Sequence, residues 1–220
     1  DRITHPEQII QSLPQATALL LDPADCGPAF LGLCQDTQEL AYDYPEDFFK
    51  PTTHMIPRIR PDERQLTQAA NLIKSSKKPL IISGGGVRYS EAQNELRGLA
   101  QQLQIPVTET IAGKGAFTHD DPIHIGPIGV VGSSSANYAA QRADLIIAVG
   151  TRLQDFTTGS WTAFDHETPF VTINAARWDA QKHQSLAVVG DAKVCLKELL
   201  VHLKDYKPTS EWLSETKNEF

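Results

Sequence analysis

Three glycine-marked turns stand where apolar, strand-like runs give way to helix-like ones. Gly84, Gly85 and Gly86 follow the run from Pro79 to Ser83, Gly126, Gly129 and Gly132 follow Ile123 to Ile125, and Gly150 follows Leu145 to Val149. An open α/β sheet builds a ligand edge in this way. Glycine lets backbone N–H groups approach a phosphate or carbonyl without an intervening Cβ, and each following helix presents its positive N-terminus. The chain is therefore expected to carry a binding layer along one edge of a sheet.

The surrounding periodicity agrees with that expectation. Residues 62 to 76 place Leu66, Ala69, Ala70 and Ile73 at helical spacing, and residues 90 to 103 place Leu96, Leu99, Ala100 and Leu103 on one face. Short apolar strands are expected at 80–82, 106–108, 123–125, 145–149, 170–173 and 186–189, with helices over 133–141 and 192–203. This alternation predicts a three-layer α/β/α fold around a six-stranded parallel sheet, Rossmann-like and of the kind that binds NAD or FAD. Right-handed crossovers would gather every loop that follows a strand along one edge, together with the loop from Glu109 to Phe117.

The first sixty residues read differently. A helix capped by Thr4, with Pro6 and Glu7 in its first turn, leads to an apolar run from Pro28 to Leu33 that resembles a buried strand. Residues 43 to 60 carry Pro45, Pro51 and Pro57 and read as a linker. One helix, one strand and a proline-rich crossing cannot close a core. Residues 1–60 are thus expected to be the tail of a preceding domain with its connector, 61–206 the fold proper, and 207–220 a linker towards a further domain.

Composition narrows the partners. Lys and Arg number 20 against 27 Asp and Glu, a net charge of -7 without clustered basic residues, which argues against a nucleic-acid surface. No apolar run approaches the roughly 18 residues needed to cross a bilayer, and no basic, apolar leader is seen, so no membrane partner is expected and the location reads as cytoplasmic. Cys26, Cys34 and Cys195 lack metal-ligand spacing, and His119, His124, His166 and His183 form no paired pattern. No metal site, catalytic triad, nucleophile elbow or P-loop is read from the sequence.

Several residues could face a ligand. Gly126, Gly129 and Gly132, followed by Ser133, Ser134 and Ser135, resemble a phosphate-facing turn, although their spacing is not that of the dinucleotide fingerprint; glycine at Gly84 and Gly85 equally suits a tight strand exit. Lys114, between Gly113 and Gly115, offers an ammonium to an anion or to solvent. Arg152 either clamps a phosphate or pairs with Asp155. Asn174 occupies the place where a dinucleotide fold carries an acidic residue for ribose hydroxyls, which weakens a dinucleotide reading.

The run from Ile123 through Gly126, Gly129 and Gly132, then Ala136 to Ala139 and Ala143 to Arg152, resembles the central domain of thiamine-diphosphate-dependent enzymes of the acetohydroxyacid synthase group. Pro79 to Gly86 and Glu109 to Phe117 match two further blocks of that domain in the right order. Within the group, Tyr42 to Phe49 and Thr157 to Phe164 look most like the branch that hydrolyses a carbon–carbon bond of a cyclic diketone in inositol catabolism, the trihydroxycyclohexanedione hydrolases. The resemblance makes the opening segment look like the last helix and strand of the pyrimidine-binding domain.

Thiamine diphosphate and Mg²⁺ are then cofactors of the full-length enzyme, which is expected to be a homodimer or homotetramer acting on a small molecule. The family's catalytic glutamate and its metal-binding Gly-Asp-Gly stretch lie in other domains, and Gly190-Asp191 is followed by Ala192. This chain alone is therefore expected to bind neither cofactor and to be inactive. In flavin-bearing relatives the glycine turns and a following arginine hold FAD. Gly84, Gly85, Gly126, Gly129, Gly132 and Arg152 match such positions, but Asn174 departs from the acidic one, so FAD is not expected. The resemblance also suggests Lys114 and Trp161 as walls of a substrate channel. The remaining readings are an acetolactate-synthase-like thiamine enzyme and a stand-alone FAD- or NAD-binding module.

Overall fold

The structure is a computed structural model and describes residues 1–206 and 211–218. The chain divides into two compact units, Asp1–Pro57 and Arg58–Phe220.

In the first unit, β1 (Arg2–Ile3) pairs in parallel with β2 (Gly32–Leu33), and α1 (Ile9–Leu20) connects them. Thr4 is not the cap that the spacing suggests. The Gln8 side-chain oxygen accepts the N–H groups of Thr4 and His5, and a 3₁₀ turn over Pro6–Gln8 precedes α1. The expected buried strand over 28–33 shrinks to two residues, half-buried Gly32 and exposed Leu33 (51%), and Phe30 before them is 81% exposed. Two short strands and one helix enclose too little volume to bury them. The proline-rich crossing is mostly irregular, yet Tyr42, Tyr44, Phe48 and Phe49 gather with ring centroids 5.1–5.9 Å apart.

The second unit begins where the crossing is tied down. The Ile59 carbonyl accepts the N–H of Asp191, and the Arg58 guanidinium reaches the Asp191 carboxylate at 2.9 Å. Asp62 caps α2 (Glu63–Ser75) by accepting the N–H of Arg64, and Leu66, Ala69, Ala70 and Ile73 are its buried face. The elements that follow are β3 (Pro79–Ser83), α3 (Gly85–Tyr89), α4 (Gln93–Leu103), β4 (Val107–Glu109), β5 (His124–Pro127), α5 (Ser134–Arg142), β6 (Leu145–Val149), α6 (Asp155–Thr158), β7 (Phe170–Asn174), α7 (Arg177–Ala180), β8 (Leu186–Val189), α8 (Ala192–His202) and α9 (Glu211–Asn218). The helix expected over 90–103 starts at Gln93, because Glu91 turns through a positive φ of 54° after α3.

All six strands from β3 to β8 are parallel, in the order β5-β4-β3-β6-β7-β8. The central strands are buried throughout, as a parallel sheet covered on both faces requires. Alternation sorts their side chains. Ile81, Ile147, Val171 and Ile173 join α2, α4 and α8 in one core, while Leu80, Ile82, Ile146 and Ala148 join the alanine face of α5 in the other. The three-layer α/β/α fold read from the sequence is the fold observed.

In the segment 207–220, expected as a linker towards a further domain, the described part is the helix α9. Residues 207–210 lie outside the described residues, but α9 buries Trp212 and Leu213, and Trp212 Nε1 donates to the Pro79 carbonyl at 2.9 Å. An indole that large is a core residue, and its burial holds α9 on the domain.

Candidate functional site

The chain runs outward from β3 to β4 and β5, then returns to β6 beside β3 and runs outward again to β7 and β8. The exits of β3 and β6 therefore flank the point where strand order reverses, the place where open α/β sheets bind ligands. Here the two exits interlock. Gly84 N–H donates to the Val149 carbonyl and Gly86 N–H to the Gly150 carbonyl, each at 2.8 Å. A Cβ on Gly84 would lie 2.3 Å from the Gly150 oxygen, so glycine is needed here for backbone to meet backbone. Gly85 is buried beside Ala112, and a Cβ on Gly113 would lie 2.2 Å from the Ser83 oxygen. Nothing in the local sequence marks Gly113 as a packing glycine, because its neighbour Ser83 is 30 residues away.

The second glycine turn is satisfied from within. Ile128 N–H donates to the Glu109 carbonyl, Val130 N–H to Phe156, Gly132 N–H to Gly129 and Ser133 N–H to Pro127. Asn137 closes on Gly129 from both sides, its Oδ1 accepting the Gly129 N–H at 3.0 Å and its Nδ2 donating to the Gly129 carbonyl at 2.9 Å. Gly126 packs against the Ser133 side chain and Gly132 against Gly129. Ser133 caps α5 through the Ala136 N–H, and Ser135 donates to the Ile125 carbonyl. Most donors that a phosphate would use are thus already engaged by the protein itself.

Arg152 follows the β6 exit and is exposed, while its backbone carbonyl accepts from Lys182 Nζ at 3.3 Å. Asp155 accepts the Ser160 hydroxyl and is not an ion-pair partner of Arg152. Asn174 ends β7 with both polar atoms engaged. Its Nδ2 donates to the Thr151 carbonyl at 3.0 Å, and its Oδ1 accepts the Ala176 N–H at 3.1 Å. An aspartate in this place could make only the second bond.

Glu109, the last residue of β4, is a buried carboxylate that sequence reasoning passed over as part of a loop. Its Oε1 accepts the N–H groups of Ala116 at 2.9 Å and Phe117 at 3.1 Å. His124 Nε2 lies 3.3 Å from Oε2, close enough for an electrostatic contact but without hydrogen-bond geometry. Burial alone would raise this carboxyl; the imidazole and the two N–H groups outweigh it and hold the carboxyl below the usual carboxylate range. Arg97 completes the frame, donating to Asp121 at 2.8 Å and to the Ala116 carbonyl at 3.3 Å, with its guanidinium over the Phe117 ring. The loop from Thr110 to Phe117 is fixed at its base and offers an exposed Lys114 at the strand-exit edge.

The structure does not bring Trp161 to Lys114. Trp161 packs on Phe164 and Phe170 at the start of β7, on the sheet face opposite the core that holds Ala116 and Phe117. Lys114, Arg152 and the glycine turns share the exit edge, and Trp161 lies against the packed face.

An open, doubly wound parallel sheet with a tightly built exit edge defines a domain of the α/β nucleotide-fold class. Residues 66–199 match the thiamine pyrophosphate enzyme central-domain family, and the chain belongs to that family. Three similar curated proteins are each named 3D-(3,5/4)-trihydroxycyclohexane-1,2-dione hydrolase. Those from Listeria monocytogenes serotype 4b (strain F2365) and Bacillus subtilis (strain 168) are both 45% identical over 98% of this chain and 35% of the relative. The one from Clostridium perfringens (strain ATCC 13124) is 42% identical over 99% of this chain and 34% of the relative. The chain thus spans about a third of the length of these relatives. Among solved structures, an enzyme from Mycobacterium smegmatis assigned to the thiamin diphosphate-dependent class superposes with a TM-score of 0.73 at 23% identity, covering 94% of this chain and 40% of that one. That likeness concerns the fold.

Proposed function

We propose that this chain is the central part of a longer, thiamine-diphosphate- and Mg²⁺-dependent hydrolase that opens the ring of trihydroxycyclohexane-1,2-dione, yielding a deoxyglucuronic acid in inositol catabolism. The observation that carries the reading is the 45% identity to the Listeria and Bacillus hydrolases, sustained over 98% of the chain. In this reading residues 1–60 close a preceding pyrimidine-binding domain, and the whole enzyme is a cytoplasmic homodimer or homotetramer. Among the described residues no helix is long and apolar enough to cross a membrane.

The side chains here do not fit a thiamine–metal centre. Among the described residues no three His, Cys, Asp or Glu groups gather to hold a metal ion. Glu109, the buried carboxylate nearest the exit edge, is already committed to two N–H groups and His124. The proposal therefore assigns the cofactor's contacts to polypeptide outside this chain and routes no chemical step through these residues. Their part is to hold a rigid edge. The Glu109 frame fixes the loop that offers Lys114, whose ammonium would line the substrate channel and attract the polyhydroxylated diketone or its acid product. Trp161 contributes to that wall only through packing. A nucleotide module is a weaker reading, because Asn174 and the Gly126–Gly132 turn spend their polar groups on the protein.

Purified long-form enzyme supplied with thiamine diphosphate and Mg²⁺ is expected to hydrolyse the diketone, and Lys114→Ala is expected to raise KM more than it lowers kcat. Absence of hydrolysis in the wild-type enzyme refutes the assignment. Calorimetric titration of the 220-residue chain with thiamine diphosphate and Mg²⁺ is expected to show no tight binding; a Mg²⁺-dependent isotherm would refute the placement of the cofactor.

A further inference from the structure

Six large apolar side chains stand exposed on five neighbouring strand exits. In sheet order they are Val130 and Val131 after β5, Ile111 after β4, Tyr89 after β3, Phe156 after β6 and Trp178 after β7. Tyr89 and Trp178 are 89% and 81% exposed, values rare for aromatic rings without a partner. Elsewhere in the second unit, Val201 is the one further large apolar residue exposed in this way among the described residues. The opposite edge carries polar residues ahead of the strands, among them Lys77, Asp120, Asp144, Glu167 and Gln184.

Contacts join parts of the rim. The Tyr89 ring approaches the position a Gly85 Cβ would take, at 3.4 Å, where Ala112 also lies. Val130 N–H donates to the Phe156 carbonyl at 2.9 Å. Charge distinguishes the rim as well. The chain carries a net -7, yet Arg152 and Arg177 on these exits have no carboxylate within ion-pair distance among the described residues. Two acids on the same exits are engaged, Asp155 with Ser160 and Asp179 with Lys182.

We propose that this strand-exit rim is a protein-docking face, covered in the longer polypeptide by a neighbouring region that presents apolar side chains and carboxylates. The proposal rests on the reading above that the chain is part of such a polypeptide. Two observations select this occupant. The curated relatives extend well beyond the 35% of their length that this chain matches, so there is protein to cover the rim. The unpaired cations oppose a rim-to-rim contact between two copies, which would set like charges against each other, and favour an acidic counterface. A small nucleotide is the poorer fit, because the glycine-turn amides and Asn174 are satisfied internally. Exposed aromatic and arginine side chains are the residue types that anchor protein interfaces.

The test is dose-normalised hydroxyl-radical footprinting of the 220-residue chain and of the long-form enzyme. Labelling of Tyr89, Phe156 and Trp178 is expected to fall several-fold in the long form. Reversing charge with Arg152→Glu and Arg177→Glu is expected to restore part of it. Equal labelling of all three residues in both forms overturns the proposal, and if that long form still hydrolyses the diketone, the function stands without the docking face. Protection in an inactive long form supports the docking face and removes the function. Concentration-dependent protection in the short chain alone, accompanied by dimer in sedimentation, overturns the chosen occupant in favour of a second copy.

Discussion

The side-chain amide of Asn174 bridges β7 to the β6 exit by donating to the Thr151 carbonyl at 3.0 Å. This bond ties the end of β7 to the β6 exit and requires a donor that a carboxylate lacks. Asn174→Asp should lose the bond and set a charge against a carbonyl, lowering stability by about 1–3 kcal/mol. Urea unfolding measures the loss. The variant should still ignore NAD and FAD, because the neighbouring amides remain engaged; micromolar binding of either would mean that the end of β7 is open to a ribose.

Two glycines separate packing from propensity. Gly129 has φ of +110°, and a Cβ there would sit 2.0 Å from the Phe156 oxygen, whereas Gly98, inside α4, has nothing within 4 Å. Gly129→Ala should destabilise by roughly 2–4 kcal/mol, from backbone strain and the displaced α6. Gly98→Ala should stabilise by about 0.5–1 kcal/mol through helix propensity. Equal and small effects in paired denaturation curves would contradict the close approach.

Glu109 gives the fold a pH dependence of defined sign. Its carboxyl is lowered in the folded state from an ordinary value of 4.5, with His124 and the N–H groups of Phe117 and Ala116 outweighing the opposing effect of burial. Its contribution to stability is therefore complete above about pH 4.5 and is lost as pH falls through the folded value. Urea midpoints at pH 7 and pH 4 should fall more steeply for the wild type than for Glu109→Gln, which should be the less stable protein at pH 7. Parallel loss in both would remove Glu109 as the source.

Much of this architecture could be read from the chain. The six strands follow from short apolar runs alternating with helical periodicity, and glycine after three of them marks the common exit edge, because local pattern and sheet topology demand the same residues there. What escaped depends on contacts distant in sequence. Glu109 reads as a loop carboxylate because the loop must fold back to bring the Ala116 and Phe117 N–H groups to it, and β5 must pair with β4 to bring His124 alongside. Gly84 and Gly150 were legible as turns, but their mutual packing was not. The departure at Asn174 was visible, whereas its bond to Thr151 arises from the folded position of the β6 exit.

The thiols should differ sharply in reactivity. Cys195 is buried in α8, and burial, followed by Asp191 and Glu198, pushes its thiol up to about 12, while Cys26 is exposed. Only a thiolate attacks a disulfide reagent efficiently, so at pH 8 Cys26 should react at once and Cys195 only after denaturant is added. Rapid labelling of Cys195 in the native protein, located by peptide mapping, would mean that α8 opens readily.

Trp212 offers the last test, because it decides whether α9 is part of the domain. Its indole is 3% exposed, donates to Pro79 and lies under Lys78 Nζ, 4.9 Å from the ring centroid, while Lys78 pairs with Glu215 at 3.1 Å. Sequence pattern alone suggested a linker, since eight residues with Trp212 and Leu213 as their apolar pair carry little periodic signal. Trp212→Phe should retain most of the packing and lose the hydrogen bond, at about 1 kcal/mol, whereas Trp212→Ala should lose about 3–5 kcal/mol by opening a cavity against β3 and α5. If α9 were an undocked tail, both substitutions would leave the thermal midpoint unchanged, and the tryptophan emission of α9 would already be that of a solvated indole.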